Sequence, residues 1–293
     1  MDFVGSQKIL ARLERILSEK KPAQAYLFSG PSGTGKFMLA RLFAASLIEN
    51  SSKLEIDQER SKKMLPDLIL VAPEIEEKKG IVKEKNIDVE SVRAALAKLA
   101  TFPHSGKHKV LVVRQAQKMN ASAQNALLKT LEEPNETSIL ILVCDEEAHL
   151  LPTLKSRCQS FSFNILSDDE LEKMMPKNQE KREELLLLAL GRPAILHQML
   201  ESEEILNERR ELAKKMQNVT KLSVVGKIGL AEELSKNSQL AIKALEILIW
   251  RERKNFTHEK VFTNIEKIEH SIEVINRTNA NVRLLLENLL LNL

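Results

Sequence analysis

Four short runs in the first half of the chain are apolar almost without interruption. They are Ala25-Tyr26-Leu27-Phe28, Leu68-Ile69-Leu70-Val71, Val110-Leu111-Val112-Val113 and Ile139-Leu140-Ile141-Leu142-Val143. A strand with one wet face alternates apolar and polar residues, whereas a strand covered on both faces reads as these runs do. The pattern therefore predicts buried parallel strands, with Phe161-Ser162-Phe163 as a shorter fifth. Helical patterns separate them. Between the last two long runs, Asn120 is placed to cap a helix carrying Ala123, Leu127, Leu128 and Leu131 and ended by Pro134. Strands alternating with helices predict an α/β domain over residues 1–163.

Past that point the strand-like runs stop. Ser167 with Glu170 three residues later is a capping box that opens a helix. A second helix, Lys181 to Leu190, ends at Gly191 with Pro193 following, and a third begins near Ala194. These predict a small three-helix domain over 164–212. The remainder, 213–293, is helix-forming throughout. Trp250 lies in an apolar stripe with Leu245, Leu248 and Ile249, and Val282-Arg283-Leu284-Leu285-Leu286 closes the chain. Arg283 and Glu287 mark that last segment as a packed helix, not a membrane element. The charged stretch Glu76-Glu77-Lys78-Lys79-Gly80 reads as a solvated loop or a hairpin. The expected fold class is thus α/β plus all-α.

Composition narrows the function classes only slightly. A chain of 293 residues fits about two domains, with room for three small ones. Hydrophobic residues at 43% with 29% charged describe a folded protein, not a disordered one. The net charge of +3 is too mild to argue for nucleic-acid binding by itself. Neither a secretory leader pattern nor a long apolar run is present, so a cytoplasmic protein without a membrane partner is expected. Cys144 and Cys158 are too few for a disulfide framework or a four-cysteine zinc module. His104 and His108 are spaced like helical metal ligands, but Pro103 and Gly106 make that stretch a loop and no acidic ligand follows, so no metal site is expected.

The chemistry begins after the first strand, at Gly30-Pro31-Ser32-Gly33-Thr34-Gly35-Lys36. In a G-x-x-x-x-G-K loop, backbone N–H groups cradle phosphates and the lysine reaches the outer ones. Gly30, Gly33, Thr34, Gly35 and Lys36 are therefore candidate nucleotide-binding residues. The next position should carry a hydroxyl for Mg²⁺, but Phe37 has no oxygen to give. In hydrolases of this type a strand neighbouring the loop ends in acidic residues that hold the magnesium shell and orient water. Here the run Val110–Val113 ends in Arg114-Gln115. Two independent losses predict no hydrolysis, no required cofactor, and at most weak ATP or ADP binding without magnesium. An active enzyme would need other acids, such as Asp145-Glu146 after the fourth strand.

Several segments resemble the clamp-loader branch of the AAA+ ATPases, and within it the bacterial DNA polymerase III delta-prime subunits. Val4-Gly5-Ser6-Gln7 resembles the V-G-Q entry motif with one extra residue, and Gln24-Ala25-Tyr26-Leu27-Phe28-Ser29-Gly30 resembles H-A-Y-L-F-x-G with glutamine for histidine. Asn125-Ala126-Leu127-Leu128-Lys129-Thr130-Leu131-Glu132-Glu133-Pro134 matches the family signature, and Ser156-Arg157-Cys158 is its S-R-C motif. Asn279-Ala280-Asn281 with Leu284-Leu285-Leu286 resembles the closing helix of the collar. The resemblance implies a RecA-like AAA+ domain, a helical lid and a helical collar. It makes Arg157 an arginine finger reaching a neighbouring subunit's ATP site; the alternative is a local pair with a carboxylate. Arg192 falls where the family's second sensor contacts phosphate, and equally reads as a helix-end cation. The implied partners are gamma/tau and delta subunits, the sliding clamp and primer-template DNA through the assembly. Residues 46–66 lack the cysteines of the family's zinc module, so no zinc is expected. An active motor of the gamma/tau type and a AAA+ relative in recombination or repair are the competing readings.

Overall fold

The computed structural model describes residues 6–78, 81–133, 135–176, 178–254, 260–277 and 280–293. Val4, Gly5, Pro134 and Asn279 of the motifs above, and Lys79-Gly80 of the charged stretch, lie outside the described residues. In chain order the first elements are α1 (Gln7–Glu19), β1 (Ala25–Ser29), α2 (Lys36–Ile48), α3 (Gln58–Lys62), β2 (Leu68–Val71), β3 (Ile75–Lys78) and β4 (Ile81–Glu84). Then come α4 (Val89–Leu99), β5 (Lys109–Val113), α5 (Ala121–Glu132), β6 (Ser138–Cys144), α6 (Pro152–Lys155) and β7 (Gln159–Ser162). The rest is helical: α7 (Asp168–Glu172), α8 (Arg182–Ala189), α9 (Pro193–Glu201), α10 (Glu203–Gln217), α11 (Val224–Ser235), α12 (Ser238–Lys254), α13 (Lys260–Arg277) and α14 (Val282–Leu291). The chain forms two compact units: Met1–Glu74, Lys85–Arg182 and Gly191–Ile195 make one; Ile75–Glu84, Glu183–Leu190 and Leu196–Leu293 make the other.

In the first unit all four long apolar runs and the short fifth are strands of one parallel sheet, in the order β2-β5-β6-β1-β7. Side chains alternate between two apolar layers. Tyr26, Phe28, Val110, Val112, Ile139 and Ile141 face α1 and α2, including Leu13, Leu39, Leu42 and Phe43. Leu27, Leu111, Val113, Leu140 and Leu142 face α4 and α5, including Val92, Leu99, Ala123 and Leu127. Helix α2 is apolar around most of its circumference and correspondingly buried. Tyr26 meets Phe43 edge-on at 5.1 Å, and Phe28 meets Phe161 at 5.4 Å, geometries that suit the aromatic quadrupole. The helix starts read from sequence are capped as expected: Asn120 accepts from Ala123 N–H, and Ser167 with Glu170 forms the capping box.

The second unit pairs α11 with α14 and α12 with α13. Leu230, Leu234, Leu245, Leu248, Ile268 and Leu286 are among its buried apolar residues. Glu76, Glu77 and Lys78 of the charged stretch lie in β3, which pairs antiparallel with β4, and β4 packs on α12. Helix α10 runs unbroken through position 212, and Ser202 caps its start. No described helix is long and apolar enough to cross a membrane.

One buried charge anchors the first unit. Asp67, fully buried ahead of β2, accepts N–H bonds from His104 at 2.6 Å, Ser105 at 2.9 Å and Gly106 at 3.0 Å. Burial opposes the charged form, yet these three bonds, aided by Lys109, hold its carboxyl below the usual aspartate range. A carboxyl depressed on folding contributes stability above its unfolded value, near 4, that is lost as pH falls through the folded value. Asp67→Ala should lower unfolding free energy by about 1–3 kcal/mol at neutral pH, because three amides lose their acceptor. Urea titration at pH 7 and in acid checks both points, since the deficit should shrink as acid protonates the wild-type carboxyl.

Candidate functional site: a closed phosphate loop and a separate arginine

Between β1 and α2 the backbone turns sharply, and Gly30, Gly33 and Gly35 take φ of 128°, 78° and 88°. Glycine enters this left-handed region without steric cost. Gly30 has a second reason to lack a side chain, because a Cβ there would sit 2.0 Å from the Phe163 carbonyl oxygen. Helix α2 then starts at Lys36 with no side-chain cap on its first N–H groups. Thr34 turns inward, its Oγ1 donating to the Pro31 carbonyl at 2.9 Å.

Lys36 is only 4% exposed, and its ammonium is fully engaged inside the chain. Nζ donates to the Gly30 carbonyl at 2.6 Å and the Pro31 carbonyl at 2.7 Å, and pairs with Asp145 Oδ1 at 2.8 Å. A lysine has three donors, so none is left over. Asp145 is itself fixed: its Oδ2 accepts from Gln117 Nε2 at 3.3 Å, and its N–H donates to Gln117 Oε1 at 3.2 Å. A second acid after β6, Glu147, accepts from Ser29 Oγ at the base of the loop.

Sheet order corrects one expectation. The strand ending in Arg114-Gln115, β5, is not the neighbour of β1; β6 lies between them. The acids Asp145-Glu146 therefore follow the adjacent strand, and Asp145 meets the loop lysine. Phe37 packs against the first apolar layer. The Arg114 guanidinium stands 5.2 Å and that of Arg41 5.9 Å from its ring centroid. Burial lowers the Arg41 pKa, and its Nη2 donates to the Lys63 carbonyl. A magnesium nucleotide does not fit this set of groups: a phenyl ring stands where a hydroxyl would ligate the metal, the acid after the adjacent strand, Asp145, is paired with Lys36, and the lysine has no donor left over.

Arg192, just before α9, packs against the loop. Its Cβ and Cδ come within 3.2 Å of where a Cβ on Gly33 would stand, and Ala194 N–H donates to the Gly33 carbonyl at 3.0 Å. Gly30, Gly33, Thr34, Gly35, Lys36 and Arg192 thus form one cluster. Arg157 has other surroundings. Its Nη1 donates to the Thr153 carbonyl and its Nη2 to Glu132 Oε1, both at 3.0 Å, with the side chain 39% exposed. The local carboxylate considered as an alternative partner exists, and Glu132 belongs to the family signature segment.

Sequence reading missed Gln124, whose buried amide holds the Arg157 segment to α5. Its Nε2 donates to the carbonyls of Met119 at 3.2 Å and His149 at 3.0 Å, and its Oε1 accepts from Leu151 N–H at 2.8 Å. Only its place beside the signature could have flagged it. Burial pushes the Cys144 and Cys158 thiols up to about 12, so neither is a nucleophile at neutral pH. Among the described residues no group of His, Cys, Asp or Glu is arranged to hold a metal ion. Gln124→Leu, similar in volume but unable to bond, should cost about 1–3 kcal/mol by leaving buried backbone groups unsatisfied, measured by urea unfolding.

A family model described as DNA polymerase III, delta subunit, matches residues 5–167. A DNA polymerase III tau subunit from Bacillus subtilis is 34% identical over 176 residues, 60% of this chain and 31% of the relative. A delta' subunit from Pseudomonas aeruginosa is 31% identical over 214 residues, 69% of this chain and 63% of the relative. The chain therefore spans less than two thirds of either relative's length. A solved gamma subunit-related DNA polymerase III protein of Thermotoga maritima is similar over 97% of both chains, with a TM-score of 0.50 and 19% identity, a likeness of fold. Because the family model covers more than half of the sequence, the chain belongs to the DNA polymerase III delta-subunit family, in the clamp-loader branch of the AAA+ proteins.

Proposed function

We propose that this chain is a non-hydrolysing, delta-prime-type subunit of the bacterial DNA polymerase III clamp loader, and that Arg157 completes the ATP site of a neighbouring subunit. One combination of observations carries the reading. The groups that would perform ATP chemistry here are replaced or internally engaged, while the S-R-C motif keeps a half-exposed arginine. During phosphoryl transfer, charge spreads over the oxygens of the moving group, and a planar guanidinium from another subunit can stabilise it. The Arg157–Glu132 pair does not oppose this, since exposed pairs are worth about 0.2–1 kcal/mol. It keeps the guanidinium oriented until a phosphate outcompetes the carboxylate.

In this reading the partners are gamma/tau and delta subunits, with the sliding clamp and primer-template DNA engaged through the assembly. Residues 164–212 act as the lid and 213–293 as the collar. Exposed Val224, Val225 and Leu284 on the paired helices α11 and α14 support an oligomerising role for the latter. Arg192 braces the loop instead of sensing phosphate. No cofactor is required by the chain itself.

The identity with a tau subunit favours a second reading, an active motor of the gamma/tau type. ATPase measurements on the purified chain separate the two. The chain should hydrolyse ATP no faster than its Lys36→Ala variant, whereas turnover abolished by that substitution would make it a motor. In a reconstituted loader of verified assembly, Arg157→Ala should depress clamp- and DNA-stimulated ATPase. The loss should be on the order of 10³-fold at the completed site, diluted by turnover at the others. An unchanged rate would reduce Arg157 to a structural partner of Glu132.

A further inference from the structure

We infer that Asp145 is a built-in anion: it occupies the lysine of the phosphate loop and closes that loop to the polyphosphate chain of nucleotides. The loop retains its glycine geometry and its uncapped helix start, so its backbone is still shaped for phosphate. What differs is the occupant of Lys36. The carboxylate of Asp145 holds the ammonium at 2.8 Å, in the role an outer phosphate oxygen would play, and the two remaining donors go to Gly30 and Pro31.

Two features make this anion hard to displace. Gln117 clamps Asp145 through both its side-chain oxygen and its backbone N–H, so the carboxylate does not need to be ordered on binding. It is also part of the same chain, and an intramolecular ligand competes at an effective concentration of about millimolar or more. A polyphosphate entering the loop must therefore expel one negative charge. It would also meet a second, Glu147 on Ser29, without magnesium to shield it, because Phe37 offers no ligand. The loop lysine and its surroundings thus serve the fold.

The inference rests on reading Gly30–Lys36 as a phosphate loop. Its failure would leave the proposed role of Arg157 untouched, since that role is read from the loader's ATPase and not from binding to this chain. The test is calorimetric titration of the purified chain with ATP and with tripolyphosphate, each in EDTA and in magnesium. Asp145→Asn retains an acceptor for Lys36 while removing the charge, and Asp145→Ser serves as a second variant, both checked for folding by circular dichroism. Either variant should bind both ligands at least about tenfold more tightly than the wild type, and adding Lys36→Met should erase the gain. No gain in either folded variant would overturn the inference, as would a gain confined to ATP. Wild-type binding as tight as that of the variants would overturn it equally.

Discussion

A strand buried on both faces has no place along its middle for a charged group, and this constraint arranges the whole first unit. Tyr26 to Phe28, Val110 to Val113 and Ile139 to Val143 are covered by helices above and below. The charged side chains around the loop lysine are consequently displaced to where a strand ends and its loop begins. Lys36 follows β1, Arg114 and Gln117 follow β5, and Asp145 and Glu147 follow β6. Parallel pairing sets these ends side by side, with Ser29 opposite Cys144 in register, so residues more than a hundred positions apart become immediate neighbours. Asp67 does comparable work at the opposite end of β2 and β5, gathering the backbone of residues 104–106 onto one carboxylate.

The same arrangement explains how the phosphate loop satisfies its own buried charge. A phosphate loop with an unpaired, buried lysine would carry an uncompensated charge, and that is strongly unfavourable. Asp145 removes the problem from inside the chain. Phe37, directly after the loop lysine, packs with the apolar layer, and the guanidinium groups of Arg114 and Arg41 lie over its ring. Each group is locally satisfied, so the loop acts as a structural corner between the sheet and the Arg192 segment.

Much of this was legible in the sequence because it depends on local rules. Uninterrupted apolar runs gave the strands, and the Asn120 and Ser167 caps gave two helix starts. The glycine spacing gave the loop. What could not be read was adjacency. Strand order is a tertiary property, and without it nothing marks Asp145 as the partner of Lys36. Gln124 escaped for a similar reason: two of its three hydrogen bonds are to backbone groups brought close only by packing of the segment around His149.

Arg157 stands apart from that cluster, anchored by Glu132 and by a segment that Gln124 fixes, with its side chain still partly open to solvent. Such a residue is rigid enough to be aimed and exposed enough to be shared. On the proposed function, catalysis is given up in cis while a cation is kept for use in trans. The most direct test of this reading is an experimental structure of the assembled loader trapped with a phosphoryl-transfer transition-state analogue. The Arg157 guanidinium should lie within hydrogen-bonding distance, about 3 Å, of the analogue in the adjacent subunit, with Lys36 still on Asp145. Analogue seated in the loop of this chain, with Arg157 still on Glu132, would contradict it.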